Sequence, residues 1–182
     1  MDAVQTIRQL FQERGASEYA GEPVSQLDHA LQTANLAVVN GATDALVVAA
    51  LLHDIGHLLP SPVESSATSA KDVHHEVVGY RFLARYFDHY VVEPLRLHVA
   101  AKRYLCAVND QYAAGLSPAS RRSLALQGGP MSEREAASFA SGPYALDAIV
   151  LRRWDDDAKR PGLEVAPLET YVPYIERMLT HR

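Results

Sequence analysis

The residues of this sequence best suited to chemistry are imidazoles and carboxylates. Eight histidines stand at 29, 53, 57, 74, 75, 89, 98 and 181, several of them inside otherwise apolar helical patterns. A buried imidazole needs partners for both ring nitrogens. One such histidine alone reads as a hydrogen-bonded core residue. Four on separate helices, with an aspartate directly after one of them, read as metal ligands. His29 lies on the helix before a very apolar one, His53 and Asp54 lie near the end of that apolar helix, and Asp155 ends a later helix in RRWDD. Imidazole and carboxylate ligands suit Fe, Mn, Zn or Ni, and the residue types do not choose among them. The single cysteine, Cys106, excludes an intrachain disulfide and a cysteine cage and reads as a buried filler.

Such ligands need rigid elements to hold them, and the apolar spacing is helical almost throughout. Val4, Ile7, Leu10 and Phe11 recur at steps of three and four, with Gly15 as a stop. Leu27, Leu31, Ala34 and Val38 repeat the pattern over 26–40, ending at Asn40-Gly41. Thr43 is a candidate N-cap for DALVVAALLHDIGHLL, whose apolar residues surround the axis and predict a central, buried helix. Its end is where the backbone can loosen enough for His53 and Asp54 to converge. Pro60 and Pro62 break the pattern, and a polar loop follows through Ala70. Helical patterns resume at 74–88 and 91–107. LSPASRRSLALQ starts another helix with Ser117 as cap and Pro118 at its first position. Ser132 and Glu135 can form a capping box, and helices near 142–156 and 167–180 flank a turn at Pro161-Gly162. No strand-like alternation of convincing length, internal repeat, heptad seam or domain boundary appears. The expectation is an all-α helical bundle, one domain over 1–182.

Composition narrows the function classes. Hydrophobic residues make up 48% of 182, enough for a real core, and the net charge of -5 makes a nucleic-acid surface a poor first reading. MDAVQTIRQLFQERG lacks the basic and apolar regions of a secretory signal, and no apolar run approaches the roughly 20 residues that span a bilayer. The expected protein is cytoplasmic and binds neither membrane nor nucleic acid. No oligomeric state is specified, and a monomer is allowed.

The order His29, His53-Asp54, Asp155 resembles the HD-domain superfamily of helical metal-dependent phosphohydrolases, and HDIGH over 53–57 is similar to its HDIG signature. The likeness extends further. YAGEPVSQLDHALQ, AALLHDIGH, HEVVGYRFL, HVAAKRYL, SPASRRSLALQGGPM and LRRWDDDAK, spread from residue 19 to 159, resemble the HD-domain mixed-valent diiron oxygenases of phosphonate catabolism. That family includes the glycine-forming 2-amino-1-hydroxyethylphosphonate dioxygenase. Ordinary HD phosphohydrolases do not share the HVAAKRYL and QGGPM blocks.

The resemblance implies an HD bundle with a metal-binding core over about 19–159 and two iron ions in mixed Fe(II)/Fe(III) valence. His29, His53 and Asp155 would hold one iron, His75 and His98 the other, with Asp54 bridging through its two oxygens. His74 competes for the place of His75, but the family pattern puts the ligand directly before Glu76. The reactants implied are O2 and a 1-hydroxyphosphonate whose carbon–phosphorus bond is lost oxidatively; 2-amino-1-hydroxyethylphosphonate would give glycine and phosphate. Lys102, one helical turn after His98, Arg152, three residues before Asp155, Ser120 and His57 are the implied phosphonate contacts. Tyr19 would cover an open iron position until substrate arrives, and Glu22 would meet the amine. Tyr19 and His57 are thus the candidate catalytic residues. Gln127 can shape the pocket or simply turn the chain, Trp154 reads as core, and Arg103, Arg121, Arg122 and Arg153 read as surface charge.

Other readings stay open at this level. An N-trimethylated substrate would want an aromatic cage, for which Tyr19, Tyr80 and Tyr104 are available. A conventional HD phosphohydrolase would use its metals to activate water against a phosphate ester. A regulatory HD protein would bind a ligand without catalysis.

Overall fold

The computed structural model describes residues 2–19, 21–60 and 74–180. Asp2 opens α1 (Ala3–Arg14) by accepting a bond from the Val4 N–H, and Gly15 ends it. Next come β1 (Glu18–Tyr19) and β2 (Glu22–Ser25), paired antiparallel. Gly21 adopts φ 80° in the tight turn between them, a conformation that costs glycine little. Strands of two and four residues are too short to leave an alternating pattern, so this hairpin, the only sheet among the described residues, was not expected. Ser25 then caps α2 (Gln26–Val39), and Thr43 caps α3 (Asp44–Leu52).

All residues of α3 from Leu46 to Leu52 are buried, among α2, α5, α9 and α10. Each large apolar side chain so buried contributes about 1.5–3 kcal/mol against exposure. The helix is shorter than its apolar run: it stops at Leu52, and a single 3-10 turn at Ile55–His57 replaces the rest. The remaining helices are α4 (His75–Leu83), α5 (His89–Val108), α6 (Asp110–Gly115), α7 (Pro118–Leu126), α8 (Glu133–Ala140), α9 (Ala145–Asp157) and α10 (Val172–Met178). The caps expected at Ser117 and Ser132 both form, the second as a reciprocal box with Glu135. Six-residue α6 carries too few apolar positions to show a period in the sequence. Trp154 and Cys106 are buried as expected. The loop expected over 60–70 lies, after Pro60, outside the described residues, as does His181. Among the described residues no helix is long and apolar enough to cross a membrane.

Candidate metal centre

Five elements deliver the histidines and aspartates to one point. His29 comes from the first turn of α2, His53 from the C-cap of α3, His75 from the first position of α4, His98 from the middle of α5 and Asp155 from the last turn of α9. Asp54 follows His53 at φ -104°, ψ 12°, the sparsely populated bridge region where site residues are often found. Leaving the helix at this residue lets two adjacent side chains face the same centre. A close approach sets the other side. A Cβ added to Gly56 would stand 2.1 Å from the His75 carbonyl oxygen, so only glycine lets the turn press against the start of α4. The His57 ring stacks on His75, with centroids 4.1 Å apart.

The geometry separates into two imidazole pairs. His29 Nε2 and His53 Nε2 are 3.2 Å apart, and His75 Nε2 and His98 Nε2 are 3.1 Å apart. Asp54 divides its carboxylate between them. Its Oδ2 lies 3.3 Å from His53 and 3.8 Å from His29, while Oδ1 lies 3.1 Å from His75 and 3.4 Å from His98. Asp155 joins the first pair, its Oδ1 3.4 Å from His29 Nε2 and its Oδ2 3.9 Å from His53 Nε2. His74, the competitor of His75, is exposed and turned away toward Glu76.

Backbone carbonyls orient three of the rings. Nδ1–H of His29 donates to Ala158, that of His53 to Ala50 and that of His98 to Leu95, at 2.8, 2.9 and 2.6 Å. A carbonyl only accepts, so each Nδ1 carries the proton and each Nε2 presents a lone pair inward, the usual support of a metal-ligating histidine. His75 Nδ1 lies 3.8 Å from Glu76 Oε2, beyond hydrogen-bond reach. Lone pairs facing each other at this range repel unless a cation lies between them. Asp54 Oδ1, buried and without a hydrogen bond, asks for the same counterpart. The His/Asp clusters therefore fit a dinuclear metal site, with Asp54 common to both halves.

Electrostatics agree. Burial alone would raise the Asp54 carboxyl, but positive charge beside it, on His53 and His75 when they are protonated, holds it well below the usual range, and a cation between the neutral rings would supply the same charge. Burial would likewise raise Asp155, which the Arg152 guanidinium holds well down. Tyr19 is pushed well above its ordinary value by burial and then by Asp155 and Asp54, so it stays a neutral phenol. It stacks on His29 at 3.8 Å and its hydroxyl points at Asp155 Oδ1, 3.4 Å away.

A cavity of about 360 Å³ opens over the second pair. Asp54, Asp155, His75 and His98 form its floor, while His29 and His53, fully buried, stand behind them. Tyr19, Glu22, His57, Lys102, Ser120 and Arg152 all line it. Lys102 is buried and donates to Ser123 Oγ at 2.8 Å. Arg152 donates from Nη1 to Asp155 and from Nε to both Tyr112 and Asp156; its Nη2 makes a further short bond to Asp156. Nη1 and Nη2 each carry a second N–H, which is able to donate to a ligand. Gln127 also lines the cavity, its Oε1 buried without a partner.

Some of the lining was not anticipated. Lys159 reaches the cavity and bonds Ser120 Oγ at 3.1 Å, and Ser117 bonds Glu22 Oε1 at 2.5 Å. Lys159 follows Asp155 by four residues, but α9 has ended by then, so the helical register that singled out Lys102 after His98 does not extend to it. Arg122, read as surface charge, is exposed yet lines the cavity, whereas Arg121 is simply exposed. Arg103 is half-buried and holds the Gly129 carbonyl and Glu135; Arg153 borders a neighbouring pocket. No aromatic cage forms from the three tyrosines. Tyr80 lies under Arg96, Tyr104 packs on Phe139, and Tyr19 alone of the three lines the cavity.

Comparison with known proteins identifies the family. Residues 27–121 match the HD domain, a stretch holding His29, His53, Asp54, His75 and His98. The chain is 48% identical over 181 residues to a hydroxymethylphosphonate dioxygenase of Gimesia maris, covering 99% of this chain and 90% of that one. It is 40% identical to a glycine-betaine-forming [1-hydroxy-2-(trimethylamino)ethyl]phosphonate dioxygenase of Leisingera caerulea, over 97% and 90% of the two chains. An uncharacterised protein of Acanthamoeba polyphaga mimivirus is 35% identical over 92% and 78%. A helical fold, a site fit for two metals and relatives of this extent lead to one statement: the chain belongs to the HD-domain phosphonate dioxygenase family, and it is an enzyme.

Proposed function

We propose that this enzyme oxidatively cleaves the carbon–phosphorus bond of a 1-hydroxyphosphonate, with O2 as co-substrate. The observation that carries the reading is the division of the Asp54 oxygens between two imidazole pairs beneath a cavity with cationic walls. His29, His53 and Asp155 would hold one ion and His75 and His98 the other, with Asp54 as the bridge. Two irons in mixed Fe(II)/Fe(III) valence would bind dioxygen and supply the redox step. The chain's own task is to bind, orient and balance charge.

Lys102 and the remaining N–H groups of Arg152 suit phosphonate oxygens: the lysine as a point charge, the arginine as a directional donor. Ser120 adds a hydroxyl. His57, stacked on His75 at the rim, is within the cavity to donate to a phosphonate or hydroxyl oxygen. Tyr19 can turn its neutral hydroxyl from Asp155 toward an arriving substrate.

The sequence-based substrate is 2-amino-1-hydroxyethylphosphonate, which would yield glycine and phosphate, with Glu22 receiving the ammonium. A second substrate is favoured by what Glu22 touches, since it already accepts from Ser117 and faces Lys159. An amine-free substrate such as hydroxymethylphosphonate needs no new partner there, and it would give formate and phosphate. The quaternary amine lacks its aromatic cage.

The test is anaerobic reconstitution with ferrous iron, then addition of oxygen and either phosphonate. Oxygen uptake matched by phosphate release supports the proposal. Phosphate released from nucleotides or phosphate esters without oxygen would make the protein a hydrolase instead.

A further inference from the structure

A second cavity, about 420 Å³, lies beside the first and shares two of its lining residues, Glu22 and Lys159. The partition between them consists of side chains from three elements. Glu22 projects from β2, Ser117 caps α7 and Lys159 follows the end of α9. Glu22 Oε1 accepts from Ser117 Oγ and lies 3.8 Å from Lys159 Nζ. Lys159 Nζ also donates to Ser120 Oγ, lies 3.6 Å from Asp156 Oδ1, and sits 5.9 Å from the Tyr19 ring centre. Both partners are largely shielded, with side chains 12% and 11% exposed. Beyond the partition Asp156, Asp157 and Tyr112 line the outer cavity.

A carboxylate meant to receive a ligand's ammonium should lack a resident cation. Here an incoming ammonium would meet Lys159 first, a like charge in a partly desolvated pocket, and would have to displace it from Glu22. A substrate ending at C1 meets no such barrier. Removing Lys159 would expose Glu22 and join the two cavities where a C2 substituent would project.

We propose that Lys159 is a specificity-determining residue, its pairing with Glu22 closing the cavity so that short 1-hydroxyphosphonates are accepted and those with a cationic amine rejected. This rests on the reading of the protein as a 1-hydroxyphosphonate oxygenase. The device works by exclusion, with the outer cavity as the space it withholds.

The experiment compares hydroxymethylphosphonate with 2-amino-1-hydroxyethylphosphonate in wild type, Lys159→Met, Lys159→Arg and Lys159→Met/Glu22→Gln. Each is iron-loaded, with iron per chain checked. Anaerobic titration calorimetry gives affinity, and oxygen uptake with phosphate release gives kcat and KM. Wild type should favour hydroxymethylphosphonate. Lys159→Met should move the ratio of kcat/KM values toward the amine substrate by about tenfold or more, chiefly through KM and with the same shift in anaerobic affinity. Lys159→Arg should retain the wild-type preference, and the double variant should lose the gain because Glu22 no longer attracts the ammonium.

Equal loss with both substrates in Lys159→Met would make Lys159 a common phosphonate contact and overturn the proposal. So would a wild-type preference for the amine. If wild type consumes no oxygen with either compound, the oxygenase reading itself fails, and the specificity proposal falls with it.

Discussion

The floor and the wall of the cavity are held together differently. At the floor and directly behind it, His29, His53 and His98 are aimed by backbone carbonyls, and Asp54 is aimed by the backbone leaving α3. On the wall, side chains hold side chains: Lys102 to Ser123, Lys159 to Ser120, Ser117 to Glu22 and Arg152 to Asp156. Backbone carbonyls in the packed fold cannot change partners without moving the chain, whereas hydroxyls and charged side chains can. The floor is thus suited to keep one geometry whatever binds. The wall is suited to exchange its internal bonds for those of an anionic ligand, at small net cost.

Changes to the floor should therefore act on metal retention, and changes to the wall on substrate affinity. The largest effect is expected for Asp54→Asn, which keeps shape but removes the bridging charge. Metal per chain, measured by mass spectrometry, should fall below the wild-type pair, and oxygen-dependent phosphate release should drop to background. Retention of both ions would remove Asp54 from the bridge.

Next comes Gly56→Ala. Its methyl would collide with the backbone at His75 and force the 3-10 turn away from α4, costing about 1–3 kcal/mol in thermal or denaturant unfolding. Metal affinity should weaken with it, although no ligand has been altered. A change in KM alone would show that the floor is not set by this contact.

Lys102→Met addresses the wall. Loss of a charge-assisted contact worth about 1.5–3 kcal/mol should raise KM for a phosphonate by about 10- to 100-fold, with iron content unchanged. Loss of iron instead would place Lys102 among the supports of the floor and blur the division.

The smallest effect lies outside both regions. Bonds from the Ser132 backbone and side chain, with Arg103, lower Glu135 to about 2 from 4.5. A carboxylate lowered on folding adds stability that is full above its unfolded value and lost as pH falls through the folded one. Wild type should thus lose this contribution between pH 4.5 and about 2, while Glu135→Gln lacks it throughout. Differential unfolding curves over that range test this, and metal content at neutral pH should be the same in both proteins.

The floor was more legible in the sequence than the wall. His53, Asp54 and His57 fall within one helical turn of one another, and His98–Lys102 and Arg152–Asp155 share helical registers, so spacing alone carried information. The caps at Ser117 and Ser132 were readable for a similar reason, because the bonding groups lie within three residues. Tyr19 and Glu22 were different. They sit on a hairpin too short to announce itself, and only family likeness pointed to them. Lys159 comes after α9 has ended, and its role depends on Glu22, 137 positions earlier and on another element. Such pairing across the chain leaves no local pattern. The stop of α3 at Leu52 was not visible: the apolar run continues through Leu59, and the turn after Leu52 packs against the start of α4, a contact between distant residues.

Low-temperature electron paramagnetic resonance and Mössbauer spectroscopy of the iron-loaded protein report whether one carboxylate joins two ions. Two ions sharing Asp54 should be magnetically coupled, so partial oxidation should give one coupled mixed-valent signal from two irons per chain, which Asp54→Asn abolishes. Two independent, uncoupled iron signals, or one iron per chain at saturation, would contradict the bridged pair on which the account stands.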